Sequence, residues 1–218
     1  MTNPHSDDAL LAGATGLVGQ ALSTQWKGPG TLHLIVRRAQ PAPGPLLKSL
    51  RVDFTQLPAL PPARRAFCCL GTTIKTAGSQ KAFRAVDHTA VLAFAHAARA
   101  AGVTHFAVVS ALGANARSGT FYNRVKGEME DALRGVGFEH LVIARPSLLA
   151  GDRAALGQPS RLGERLALAL TRPLAGLIPA SVRPIGAEVL ARALLRALDQ
   201  ATPGVRVVES AELQRLGT

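Results

Sequence analysis

Gly13-Ala14-Thr15-Gly16-Leu17-Val18-Gly19, directly behind the apolar run Ala9 to Ala12, is the stretch on which the reading of this chain turns. Three glycines at a spacing of three let a backbone turn tightly out of a strand, approach a pyrophosphate closely and pack the following helix onto a sheet, while helix amides and dipole face the negative charge. The bare pattern also arises as ordinary loop chemistry, so its weight comes from position. It opens the first strand-helix unit of the chain. The next strand-like run, Leu32 to Val36, ends in Arg37-Arg38, where the adenosine ribose of a bound dinucleotide would lie. An acidic residue there suits the free ribose hydroxyls of NAD, whereas arginine suits the extra phosphate of NADP. The competing reading of the pair is two solvated charges at a strand end.

The rest of the chain alternates strand and helix signals. A proline-rich loop, Pro41 to Pro45, leaves little room for a regular helix before a third strand over Leu50 to Phe54, and a second cluster, Pro58 to Pro62, precedes the compact apolar run Ala66 to Leu70 and Gly71-Thr72-Thr73. Apolar residues at helical spacing predict one helix over Ala82 to Ala101, closed by Gly102. Strands are expected over His105 to Ser110, Leu141 to Ala144 and Val205 to Val208, and helices over Tyr122 to Arg134 and Ala187 to Leu198. This alternation argues for an α/β fold with a doubly wound parallel sheet covered by helices on both faces. At 218 residues, the chain is expected to form a single domain spanning 1–218. Residues 151–181, basic and punctuated by glycine and proline around a helical core at Leu162 to Leu170, would form a small cap over the carboxyl ends of the strands, where ligands bind in such sheets.

The 25 Lys and Arg against 14 Asp and Glu leave a net charge of +11. The arginines are scattered and only nine aromatic residues are available to stack on bases, so no nucleic acid partner is expected, and the charge is read as a field that draws an anionic ligand. Apolar runs fall short of the roughly 20 residues a membrane span needs, and no membrane partner is expected. The polar, acidic Met1 to Asp8 segment does not resemble a secretory signal. Two adjacent cysteines, Cys68 and Cys69, fit a reducing compartment, and a cytoplasmic location is expected.

Three residues carry the expected chemistry. Tyr122 and Lys126, four apart on a helix, share one face, and Ser110 ends the preceding strand. A phenol titrates near pH 10 and is a poor acid-base group at neutral pH unless a neighbouring ammonium favours its anion. Tyr122 could then exchange a proton with a carbonyl oxygen while hydride moves to or from a nicotinamide, Ser110 fixing that oxygen by a second hydrogen bond and Lys126 also reaching the nicotinamide ribose. A Tyr-x-x-x-Lys spacing alone is weak, since any solvated helix face can carry one. Here it follows a strand-terminal serine by twelve residues and holds the chain's only tyrosine.

With Phe67 to Thr73, Val108 to Ala114 and Tyr122 to Glu128, the glycine turn resembles the atypical short-chain dehydrogenase/reductases, in the small branch typified by the Tat-interacting protein and its bacterial relatives. The likeness covers roughly residues 8 to 213, and it implies a Rossmann-type NAD(P)-binding fold with NADP(H) preferred over NAD(H). Carried over position by position, Gly13, Thr15, Gly16, Leu17 and Val18 would hold the pyrophosphate, Arg37 and Arg38 the adenosine phosphate, and Asp53 and Phe54 would lie beside adenine. Leu70, Gly71, Thr72 and Thr73 would line the cofactor, with Lys126 at the ribose, and Pro146, Ser147 and Leu148 would lie beside the nicotinamide. Ser110, Tyr122 and Lys126 match the family's active-site trio, and no metal is implied. The expected function is an oxidoreductase acting on a small carbonyl or hydroxyl compound, as a monomer or homodimer. The open alternative is a non-catalytic NADPH sensor that acts through a protein partner.

Overall fold

The computed structural model describes residues 7–38, 44–150, 179 and 181–218. The expected cap helix at Leu162 to Leu170 and most of the Pro41 to Pro45 loop lie outside the described residues.

Seven parallel strands run in the order β3-β2-β1-β4-β5-β6-β9: β1 Ala9–Ala12, β2 Leu32–Val36, β3 Leu47–Arg51, β4 Arg65–Cys68, β5 His105–Val109, β6 His140–Arg145 and β9 Gly204–Glu209. The order reverses at β1, flanked by β2 on one side and β4 on the other, with Leu10 paired to both His33 and Ala66. That reversal opens a crevice at the carboxyl ends of β1 and β4. A two-stranded parallel ribbon, β7 Leu149–Ala150 with β8 Ile185–Gly186, adjoins the sheet.

Because successive strand residues face opposite ways, β1 feeds two cores. Ala9 and Leu11 pack with Val18, Leu22 and Trp26 of α1 Leu17–Gln25. The same layer takes Leu190, Leu194 and Leu198 of α6 Ala187–Asp199, and Leu213 of α7 Ser210–Gly217. Leu10 and Ala12 pack on the other face with Phe94 and Ala98 of α4 Val91–Ala100 and with Met129 and Leu133 of α5 Phe121–Arg134. The expected α/β, doubly wound architecture with helices on both faces is therefore present.

The third strand and the long helix after β4 differ most from the sequence reading. The third strand lies at Leu47–Arg51 and not at Leu50 to Phe54, because Asp53 caps a turn: its Oδ1 accepts the Thr55 amide and hydroxyl, both at 2.8 Å. The helix expected to run unbroken from Ala82 to Ala101 is three pieces. After the short α2 Ile74–Ala77, α3 Gln80–Arg84 passes into a π-helical turn, Ala85–Ala90, and then into α4. Gly102, at φ 92°, closes the rod as expected.

Candidate active site and cofactor crevice

The three glycines of the first turn have separate physical reasons. Gly13 has φ 83°, and a Cβ there would lie 2.4 Å from the Cys69 carbonyl carbon, so β4 presses directly on this turn. A Cβ on Gly19 would lie 2.1 Å from the Gly13 carbonyl oxygen, so α1 packs against the turn itself. Gly16 is different: an added Cβ meets no heavy atom closer than the Gly13 carbonyl oxygen at 3.5 Å. The protein's own packing does not require that glycine, and the open space stands at the N-terminus of α1, where Gly16 offers no side-chain cap and the first turn carries no acidic residue. No side chain among the described residues caps the first helical amides, and an anion fits them. Thr15 is exposed beside this space, Leu17 half-buried and Val18 buried.

Arg37 and Arg38 follow β2 at its carboxyl end and are both exposed, with no side-chain partner among the described residues. Asp53, exposed, and Phe54, half-buried, lie in the turn after β3, next to the strand that carries the arginines. The Thr55 backbone and side-chain bonds hold the Asp53 carboxyl below the ordinary aspartate range.

On the other side of the reversal, Leu70 to Thr73 leave β4 and meet the catalytic candidates. The Lys126 side chain is buried, with its ammonium 2.8 Å from Asp87 Oδ1 and 3.5 Å from the Val109 carbonyl oxygen. Asp87 Oδ2 accepts the Thr72 amide at 2.8 Å. One carboxylate thus ties the cofactor-side loop to the lysine, and a Cβ on Gly71 would stand 3.5 Å from Asp87 Oδ1 and 3.9 Å from Lys126 Nζ. Burial by itself pulls the Lys126 pKa down, but the Asp87 carboxylate and the nearby Tyr122 phenol more than offset it, so the pKa is raised and the side chain stays charged. Tyr122 is half-buried, its ring tilted on Phe83 at 5.3 Å between centroids.

Tyr122 and Lys126 are one turn apart on α5, with Lys126 beside Gly71. Ser110 is oriented differently. Its hydroxyl donates to Glu130 Oε1 at 2.5 Å, and Glu130 is held by Arg145 through Nε at 3.0 Å and Nη2 at 2.7 Å. The hydroxyl expected to fix a substrate oxygen thus donates to a buried carboxylate in this structure. Pro146 is buried, and the Ser147 amide donates to Ser210 Oγ at 3.2 Å. Leu148, exposed, accepts the Ile185 amide at 3.0 Å. The segment expected beside the nicotinamide is thus anchored to the ribbon and to α7.

Asp87, Glu130 and Arg145 escaped the sequence reading. Glu130 carries a legible signal, since Tyr122, Lys126 and Glu130 repeat at four residues along one helix face. Asp87 stands between the core residues Phe83 and Val91, four residues from each, on the buried face of the rod, but the π turn that aims it leaves no mark in composition.

No protein-family model matches the chain. Similarity to known proteins is nevertheless extensive. "Protein fmp52, mitochondrial" of Aspergillus fumigatus is 35% identical over 216 residues, 90% of each chain. "Protein HTATIP2" of Rattus norvegicus is 36% identical over 174 residues, covering 76% of this chain and 68% of the relative. Among solved structures, MoeE5 in complex with UDP-glucuronic acid and NAD superposes with a TM-score of 0.70 at 21% identity, covering 92% of this chain and 75% of the other, a likeness of fold. The fmp52 names overturn the expected cytoplasmic location: these relatives, 29–37% identical in the alignments with Chaetomium globosum and Aspergillus clavatus, are named mitochondrial. Unbridged thiols suit any reducing compartment, so Cys68, buried with its thiol pushed up to about 12, and its neighbour Cys69 do not distinguish the two locations.

Proposed function

Since the chain belongs to the family of the fmp52 proteins and HTATIP2, within the atypical short-chain dehydrogenase/reductases, we propose that it is an NADPH-dependent oxidoreductase acting on a small carbonyl or hydroxyl compound. The observation that carries this reading is the buried Lys126 ammonium, one helical turn from Tyr122 and beside Gly71, on the crevice that the glycine turn also borders. The neighbourhood of a charged lysine, a phenol and an open dinucleotide cradle is what carbonyl reduction needs and what packing alone does not require.

The cradle residues Gly13, Thr15, Gly16, Leu17 and Val18 would hold the pyrophosphate, and Arg37 and Arg38 the adenosine phosphate. Two exposed guanidiniums with no side-chain partner among the described residues support a preference for NADP(H), because only that cofactor offers a phosphate for charge-assisted bonds there. When bound, the nicotinamide supplies the hydride. Tyr122 gives its proton to the oxygen that gains charge, with the Lys126 charge beside it. The Lys126 ammonium, ion-paired with Asp87 at 2.8 Å and donating to the Val109 carbonyl oxygen at 3.5 Å, would turn a remaining N–H to a ribose hydroxyl. Asp87 orients that ammonium and keeps it charged. The fmp52 names support a mitochondrial setting for this activity.

Titration with NADPH and NADH, followed by a carbonyl panel read as loss of cofactor absorbance, tests the proposal. Selective NADPH binding with turnover that Tyr122→Phe abolishes is the expected result. Tight binding without turnover on any compound transfers the reading to an NADPH sensor, and no binding of either nucleotide overturns both.

A further inference from the structure

Among the described residues the two outer strands of the sheet, β3 and β9, each pair on one side only. Charge distinguishes them. On β9, Arg206 is paired with Glu212 at 2.6 Å and Glu209 with Arg145 at 3.1 Å. On β3, Lys48 and Arg51 are exposed and have no side-chain partner among the described residues, and Leu46, just ahead of the strand, is 44% exposed. The nearby Asp53 carboxylate is taken up by the Thr55 amide and hydroxyl. The backbone of β3 is open as well. The Leu46 carbonyl accepts the Leu32 amide and the Val52 amide donates to the Val36 carbonyl, both at 2.8 Å. In a parallel ladder the residues that bond to one neighbour alternate with those that face away. Leu46, Lys48, Leu50 and Val52 therefore face β2, while the Leu47 carbonyl and the Ser49 and Arg51 amides and carbonyls point outward. None of these outward groups has a hydrogen-bond partner among the described residues.

We propose that the outer edge of β3 docks an extended, acidic segment of another protein, which adds a strand beside Ser49 and Arg51 and sets carboxylates against Lys48 and Arg51. Main-chain bonds to an open edge supply affinity, and the flanking side chains select the sequence. Lys48 and Arg51, three residues apart, stand on opposite faces of the strand, so acidic residues three apart in the incoming segment match both. A second copy of this chain does not fit. Two β3 edges side by side would bring four cations together with no free carboxylate between them, and like charges across a strand pair are destabilising. The charges that bar such self-pairing admit an acidic strand.

The probe is a fluorescein-labelled peptide of about ten residues, valine and threonine with two glutamates three positions apart, read by anisotropy and by residue-resolved amide exchange of the full chain. Saturable binding that slows exchange at the Ser49 and Arg51 amides and weakens with added salt is the expected result. Lys48→Glu combined with Arg51→Glu is expected to weaken binding by about tenfold or more, and to take up instead the same peptide with lysines in place of glutamates. Ser49→Pro removes an outward amide and none that bonds to β2, so it is expected to abolish binding in a folded chain. If that proline unfolds the chain, the charge-reversed pair decides. No binding of the glutamate peptide overturns the proposal, as does equal affinity of the native chain for the glutamate and lysine peptides. Protection that appears at Val205 and Val207 of β9 instead also overturns it. So does slow exchange at Ser49 and Arg51 in the chain without peptide, which would mean that a second copy or the chain itself already covers the edge. Gly16→Val, expected to lose NADPH, should bind the peptide as the native chain does, which keeps this result separate from the oxidoreductase reading.

Discussion

Gly13 and Gly16 stand three residues apart in one turn and answer to different demands. Gly13 combines φ 83° with a carbonyl group 2.4 Å from where its Cβ would be, so Gly13→Ala is expected to cost about 1–3 kcal/mol of stability, read by denaturant unfolding. Gly16 has ordinary backbone angles and free space, so Gly16→Val should leave the unfolding midpoint nearly in place and weaken NADPH binding by about tenfold or more, read by calorimetry. A Gly16→Val protein that still binds NADPH normally would make the turn a purely structural device. The glycine spacing in the sequence announces the turn but does not separate these two roles, because both follow from what approaches each Cα. The same holds for Arg37 and Arg38: the residue types suggest a phosphate, and their lack of partners among the described residues supports it. Replacing both with alanine is expected to weaken NADPH by about tenfold or more while changing NADH little, and equal losses would remove the phosphate from their account.

At the scale of elements, the rod from Gln80 to Ala100 carries the main surprise. Its apolar spacing reads as one helix, and it is continuous in space, but the π turn at Ala85–Ala90 brings Asp87 onto Lys126 and the Thr72 amide. Breaking a buried ion pair from one side strands the other charge. Asp87→Ala is therefore expected to destabilise the chain by about 3–5 kcal/mol, and to lower NADPH affinity as well, because the Thr72 amide and Lys126 both lose their anchor. Asp87→Asn, which keeps the acceptor to Thr72 but not the charge, should recover part of the stability. An Asp87→Ala chain as stable as the native one would mean that the pair contributes nothing net. Most strands of the sheet were legible: β1 and β2 have the expected bounds, β5, β6 and β9 differ by a residue at one or both ends, and β4 starts one residue earlier and ends two earlier, whereas the short β7–β8 ribbon was not expected. β3 slipped by three residues because Asp53 sends the chain into a turn that the hydropathy pattern does not record.

For the whole molecule, the amino ends of the strands hold a pH-sensitive feature far from the crevice. His105 and His140, paired across β5 and β6, stack at 4.0 Å, and His105 also lies near Arg64, Arg65 and Glu139. Burial, then His140 and the two arginines, lower the His105 pKa from 6.5 to about 4, with Glu139 opposing. Between pH 6.5 and 4 the unfolded chain takes up a proton that the folded chain refuses. Its contribution to stability is therefore complete above pH 6.5 and lost as the pH falls toward 4. Thermal unfolding across that range should show a falling midpoint, and His105→Gln should flatten the slope; an unchanged slope would assign the acid sensitivity to other groups. The alternation of strands and helices, the glycine turn, the tyrosine-lysine spacing and the charge are local or periodic properties, and hydropathy with a few side-chain types carries them in one dimension. The direction of a proton is not of that kind. That Ser110 serves Glu130, that Asp87 holds Lys126 and that Gly16 alone of the three glycines leaves room for a ligand depend on residues 20, 39 and several positions apart meeting at distances set by the sheet reversal, and packing in three dimensions is what brings them there.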